Sequence, residues 1–144
     1  AQLAKSSDGG FVTCLVLEIA SDGRAVIANA GHLAPYRNGR EMQADSGLPL
    51  GVAADAAYTD SAWPLAPGER LTLLSDGVVE ARNATGKLFG FDRTAAISTQ
   101  SAEAIAQAAQ VHGQEDDITV LALTLLAMEP QPDSGPAAPV FAPA

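Results

Sequence analysis

An apolar strand that runs straight into an Asp-Gly pair constrains this chain more than any other feature. Residues 71–81 read Leu-Thr-Leu-Leu-Ser-Asp-Gly-Val-Val-Glu-Ala. The run Arg70-Leu71-Thr72-Leu73-Leu74 is apolar enough to lie inside a sheet, and Asp76 then carries a carboxylate to the rim of the core. Desolvating a carboxylate costs several kcal/mol unless a cation or hydrogen-bond donors compensate, so Asp76 is expected to be either a metal ligand or part of a capped turn. Gly77 allows close approach of another backbone. In the simpler of the two readings Asp76 caps residues 78–82 in a solvated strand-to-helix turn. Ser-Asp-Gly also occurs at Ser7-Asp8-Gly9 and Ser21-Asp22-Gly23, but only the copy at Ser75-Asp76-Gly77 follows a long apolar strand.

Turn dipeptides divide the rest of the chain into antiparallel strands. Residues 11–20 are apolar on both alternate faces until Glu18, which predicts a core strand covered on both sides. Asp22-Gly23 then turns it into a hairpin with residues 25–30, a strand whose pattern breaks at Asn29 and His32. Asn38-Gly39 predicts a second hairpin with both central residues at positive φ. Residues 47–52 hold Leu48, Leu50 and Val52 among Gly and Pro, an expected ordered loop packed on the core. An edge strand is expected over residues 58–64, followed by a tight turn at Pro67-Gly68 into the Leu71 strand. Beyond Asp76, Phe89 and Phe91 are expected to dock on the core, with a short helix over residues 92–99. Ser101 is placed to cap a second helix whose stripe is Ile105, Ala108, Ala109 and His112, with Gly113 as its stop. Residues 118–126 predict a last buried strand. Residues 1–7 read as a frayed helix end that begins abruptly. Five prolines in the sixteen residues 129–144 predict a disordered tail, so the folded domain is expected over residues 1–128.

Charge narrows the partners. Seventeen acidic residues against eight basic give a net charge of −9, which argues against nucleic acid or an anionic membrane and favours cations. No apolar run reaches the roughly 18 residues that span a bilayer, and no leader pattern opens the chain, so a cytoplasmic protein is expected. The single cysteine, Cys14, lies in an apolar strand and reads as a packed thiol rather than a nucleophile.

A second candidate for chemistry is Asp116-Asp117, two acids placed directly before an apolar strand, where like charges repel without a cation beside them. If that strand lies beside the Leu71 strand, Asp76 and Asp116 meet at one rim as hard oxygen ligands for Mg²⁺ or Mn²⁺. Otherwise they are unrelated turn residues. Glu80 is read as either an ordering neighbour of that site or an exposed turn carboxylate.

Five motifs then occur in the order of one family: Asn29-Ala30-Gly31-His32, Leu48-Pro49-Leu50-Gly51, Leu65-Ala66-Pro67-Gly68-Glu69, Ser75-Asp76-Gly77-Val78-Val79-Glu80-Ala81 and Asp116-Asp117-Ile118-Thr119-Val120. The chain resembles the SpoIIE-like bacterial branch of the PPM-type (2C-class) metal-dependent serine/threonine phosphatases over residues 11–126. The resemblance implies an α+β fold, an antiparallel β-sandwich flanked by helices in four αββα layers, with a two-metal Mn²⁺ or Mg²⁺ centre at one end. It makes Asp76 and Asp116 metal ligands, with Gly77, Asp117 and Thr119 as supporting positions. Two ions about 3.5–4 Å apart would then activate a hydroxide for in-line attack on phosphoserine or phosphothreonine. The implied partner is a phosphorylated regulatory protein such as an anti-anti-sigma factor.

One family motif is missing. The other metal-binding segment, an Asp followed shortly by Gly-His-Gly or Gly-Lys-Gly, precedes the matched region in relatives, and neither version occurs here. His32 lacks the flanking glycine and reads as a structural or rim residue. The chain is therefore read as the C-terminal two thirds of a catalytic domain, N-terminally truncated and by itself inactive. An open sheet edge is then expected to pair with a second copy. Two further readings stand beside the enzyme: a non-catalytic interaction (pseudophosphatase) domain in a signalling cascade, and a generic divalent-cation-binding sandwich.

Overall fold

Local turn chemistry and one strand with two apolar faces account for the architecture. The computed structural model describes residues 10–127; the expected helix end at residues 1–7 and tail at 129–144 lie outside them. Asn38 and Gly39 take φ of 49° and 86°, as the primed two-residue turn requires, and join β3 (Tyr36–Arg37) to β4 (Arg40–Glu41). The Asp22-Gly23 turn joins β1 (Cys14–Ile19) antiparallel to β2 (Arg24–Ala30), with Ile19 opposite Ala25.

Two sheets result. In the first, β2 pairs with β1 on one side and, on the other, with β6 (Asp60–Pro64) and the short parallel β5 (Ser46–Gly47). In the second, the order is β4-β3-β7-β8, with β7 (Arg70–Leu74) antiparallel to both β3 and β8 (Val120–Thr124). Inward residues of both sheets make one core, in which Ala25, Ile27, Met42, Leu65 and Leu71 are buried against Leu15, Leu17, Leu73 and Leu123. A second core lies between the other face of the β7 sheet and the helices α1 (Asp76–Val79), α2 (Phe91–Ile97) and α3 (Ala102–Gly113). There Leu74, Val78, Val79, Phe89, Ile105 and Ala109 pack together. Thr72, on the same face, is buried and donates its hydroxyl to the Ser98 carbonyl at 2.7 Å. β7 thus feeds both cores, and each fully buried leucine or isoleucine contributes about 1.5–3 kcal/mol.

The fold is α+β, two antiparallel-dominated sheets with helices, as expected. The described helices lie on the β7 sheet. Ser101 caps α3 by accepting from the Ala104 N–H, and Ile105 and Ala109 form its buried stripe.

Four local expectations are corrected. Among the described residues β1 is not covered on both sides: it pairs with β2 alone, and Val16 on its outer face is 59% exposed. Among the described residues β8 is the outer strand of its sheet, and Leu121 is half exposed while Leu123 is packed. The 47–52 loop is ordered by a Val12–Leu50 bridge, but Leu48 and Val52 remain exposed. Of the two phenylalanines only Phe89 docks; Phe91, at the first position of α2, is exposed.

Glu69, just after the Pro67-Gly68 turn, ties the two sheets at the far end from Asp76. Its carboxylate accepts from Arg37 Nε at 3.0 Å, from Asn38 Nδ2 at 3.1 Å and from the Ala66 N–H at 2.7 Å. Arg37 also donates to the Pro64 carbonyl of β6. The hydrogen bond from Arg37, then that from Ala66, holds the Glu69 pKa below its ordinary 4.5. A depressed carboxyl contributes stability above the unfolded value and loses it as pH falls through the folded one. Urea unfolding of Glu69→Gln should therefore fall less steeply than that of the parent chain between about pH 5 and pH 3, and the two should converge at the acid end.

Candidate metal centre

The rim of the β7–β8 ladder is closed by one serine. Leu74 stands opposite Val120, and the ladder goes one step further as the Ser75 N–H donates to the Thr119 carbonyl at 2.9 Å. Ser75 Oγ then donates to the Asp117 carbonyl and accepts from the Thr119 N–H, both at 3.0 Å. Because the hydroxyl is spent across the sheet, Ser75 occupies the N-cap of α1 without capping it. Gly77 completes the junction: a Cβ there would lie 2.4 Å from the Asp117 carbonyl oxygen, inside any real contact. The glycine is required by space, and the expected role of a backbone approach is met.

These contacts bring the two sequence motifs together at one rim. Asp76 is the first residue of α1, and its Oδ1 accepts from the Gly77 N–H at 3.0 Å. Asp116 Oδ1 accepts from the Asp117 N–H at 2.7 Å. Asp116 lines a small cleft with Gly77, Glu80, Ala81, Arg82 and Glu115. Arg82 Nε lies 3.3 Å from Glu115 Oε2 in a half-exposed pair, so three carboxylates share one cation whose attraction water largely screens. Asp117 and Thr119 join the junction through their main chains.

Sequence inspection passed over Ser75 and Glu115. A hydroxyl between an apolar strand and Asp-Gly is the only trace Ser75 leaves, because its partners are backbone groups. Glu115 is one more acid beside Asp116, and only the cleft distinguishes it. His32 is tied through its main chain: its N–H donates to Asn29 Oδ1 at 2.8 Å, and buried Asn29 returns a bond to the His32 carbonyl at 2.9 Å, while the ring Nδ1 lies 3.3 Å from Thr13 Oγ1. Gly31 beside it packs against Pro49, so the Asn-Ala-Gly-His and Leu-Pro-Leu-Gly motifs meet.

Carboxylate oxygens at this rim have the right hardness for Mg²⁺ or Mn²⁺. Their number falls short: among the described residues no group of three or more His, Cys, Asp or Glu side chains is assembled to hold an ion. The described residues fit a share of a coordination sphere and not a complete one.

A two-sheet sandwich with helices against the sheet that ends in Ser-Asp-Gly is the architecture of PPM-type protein phosphatase domains. A model of the SpoIIE family, stage II sporulation protein E, matches residues 1–126, and the chain belongs to that family. The family is metal-dependent in general. The phosphatase domain of the cell fate determinant SpoIIE from Bacillus subtilis, presoaked with Mn, superimposes with a TM-score of 0.59 at 20% identity, covering 89% of this chain and 62% of that one. The RsbU and RsbW domains of Rv1364c from Mycobacterium tuberculosis give 0.65 at 20% identity, covering 87% and 39%. The SiaA-PP2C domain of Pseudomonas aeruginosa gives 0.56 at 27% identity, covering 72% and 47%. The chain thus spans between 39% and 62% of the length of these solved chains. No curated protein matches it by sequence. Among the described residues no helix is long and apolar enough to cross a membrane.

Removing either half of the junction should loosen it measurably. Gly77→Ala forces the Asp117 backbone away and should lower unfolding stability by about 1–3 kcal/mol in urea titrations. Ser75→Ala, which abandons two hydrogen bonds at a solvated rim, should cost about 1 kcal/mol.

Proposed function

We propose that this chain is the part of a metal-dependent serine/threonine protein phosphatase domain that carries Asp76 and Asp116 to a two-metal centre. The observation that supports this reading is the junction of Ser75-Asp76-Gly77 with Asp116-Asp117-Ile118-Thr119, where the main chain beside Asp76 meets the main chain beside Asp116. When bound, two Mn²⁺ or Mg²⁺ ions supply an activated water and neutralise phosphate charge. The residues of this chain do the remaining work: Ser75 and Gly77 fix the spacing of the two acids, and Glu80 and Glu115 keep the cleft beside them acidic. Membership of the SpoIIE family and similarity to the RsbU domain support a phosphorylated regulatory protein, of the anti-anti-sigma class, as the substrate. Residues 1–128 are proposed as the domain segment, and the edge of β1 that is unpaired among the described residues supports pairing with a second copy.

A second reading, a non-catalytic interaction domain, is favoured by one observation: no third metal-binding side chain joins the two acids among the described residues. The experiment compares the 144-residue chain with a version extended upstream, each assayed on a phosphoserine protein with and without Mn²⁺. The short chain should show little or no turnover, and the extended one Mn²⁺-dependent turnover that Asp76→Asn and Asp116→Asn each abolish. Mn²⁺-dependent turnover by the short chain would show that these residues suffice, and an inert extended domain would favour the interaction reading.

A further inference from the structure

We propose that His112 is a proton-operated latch, which in its neutral form clamps the end of α3 to the 82–90 loop and thereby sets the segment that leads to Asp116. Its two ring contacts define its state. Nε2 lies 2.8 Å from the Lys87 carbonyl oxygen, which only accepts, so Nε2 carries the proton. Nδ1 lies 3.0 Å from Arg93 Nη1, and a guanidinium only donates, so Nδ1 presents a lone pair. Both contacts are made at once by the neutral Nε2–H tautomer alone.

Packing adds to the clamp. The His112 ring meets Phe89 edge-on at 5.4 Å and 79°, and the Arg93 guanidinium lies 4.6 Å above the same Phe89 ring. Phe89 is buried, and the Phe89 and Gly90 N–H groups donate to the Ala81 and Val79 carbonyls, so the loop is anchored beside α1. At the next residue, a Cβ on Gly113 would lie 1.8 Å from the Arg82 carbonyl, so helix end and loop touch backbone to backbone. From there Glu115 pairs with Arg82, and Gln114 Nε2 donates to the Asp116 carbonyl at 3.1 Å. A shift of the His112 turn is passed along four residues to Asp116.

Protonation puts an N–H and a positive charge on Nδ1, facing the N–H of Arg93. The contact becomes donor against donor. Arg93 is the charged group in contact with the ring; the other charged residues on the elements that pack there are Asp92 of α2, Arg82 and Lys87 of the loop, and Glu115 beyond α3. Among the described residues no carboxylate lies within ion-pair distance of Arg93 or His112, so nothing bridges the two cations. The exposed Arg93 side chain turns away into solvent, and the polar tie between α2 and the end of α3 is lost while their shared apolar packing remains.

The latch can be followed without any phosphatase assay. Ring ¹⁵N shifts of His112 and His32 in the ¹⁵N-labelled 144-residue chain report tautomer and charge from about pH 8 to about pH 5. Amide exchange at Lys87, Phe89 and Gly90, corrected for intrinsic pH dependence, reports the loop. His112 should show one Nε2–H tautomer when neutral, and its protonation should speed exchange of the loop amides by about tenfold while Ala25 and Ile27 stay protected. His112→Gln should give loop exchange that no longer follows pH. Arg93→Met, which keeps Phe89 covered without a donor, should do the same and serves if the glutamine variant does not fold. An Nδ1–H tautomer, a free tautomer mixture, or loop protection that stays constant while His112 titrates would overturn the proposal.

Discussion

The Ser75 hydroxyl sits where a sheet ladder must give way to a turn, and the geometry of the rim depends on it. An ordinary antiparallel pair ends with a dangling N–H and C=O on each strand. Here the last such pair, the Thr119 N–H and the Asp117 carbonyl, closes on one side-chain oxygen instead of on water. Each bond is worth only about 1 kcal/mol net, yet together they fix the path of two segments that lie 42 and 44 residues apart in sequence. A carbon at residue 77 would push those segments apart, so the serine and the glycine act as one unit.

The position of β7 explains why so local a device reaches the whole fold. It is paired on both sides and covered on both faces, with Leu71 in the sandwich core and Leu74 in the helix-side core. Whatever displaces its end disturbs both cores. At its other end the Glu69 carboxylate gathers donors from Arg37, Asn38 and Ala66, so the strand is pinned at both termini by side chains that answer backbone needs. Cooperative burial supplies most of the stability; these polar junctions supply the register.

The sequence was legible where one residue's chemistry decides the outcome. Asn38-Gly39 made the turn its dihedral preferences demand, Ser101 capped its helix, and the two-faced apolar pattern of β7 was matched by two cores. The same two-faced pattern in β1 led to the wrong burial, because alternation reports what a strand can bury and not which neighbours arrive; Val16 has no neighbour on its outer face among the described residues. Phe89 and Phe91 differ by two positions, and only the chain path across α1 decides which of them is covered. At the rim the acids were readable from their places at strand ends. Ser75 was not, since a hydroxyl that bonds to main chain has no partner residue to betray it.

How the two aspartates are held bears on the proposed metal role. The main chain is tied down beside each: Asp76 opens α1, and Asp116 lies in the irregular stretch between α3 and β8, next to the Asp117 carbonyl that Ser75 holds. Each carboxylate, however, is held only by the N–H of its own next residue, through Oδ1, and the second oxygen has no protein partner among the described residues. Rotating such a side chain breaks one short-range bond, at a net cost of about 1 kcal/mol, whereas moving its Cα would break the ladder. Rigid spacing with adjustable oxygens suits a hard cation, whose shell is filled by several oxygens and waters at short distances. Had either acid been locked in an ion pair with Arg82, binding an ion would have to break that pair first. Arg82 instead engages Glu115, so neither aspartate has to give up an ion pair before it can bind a cation.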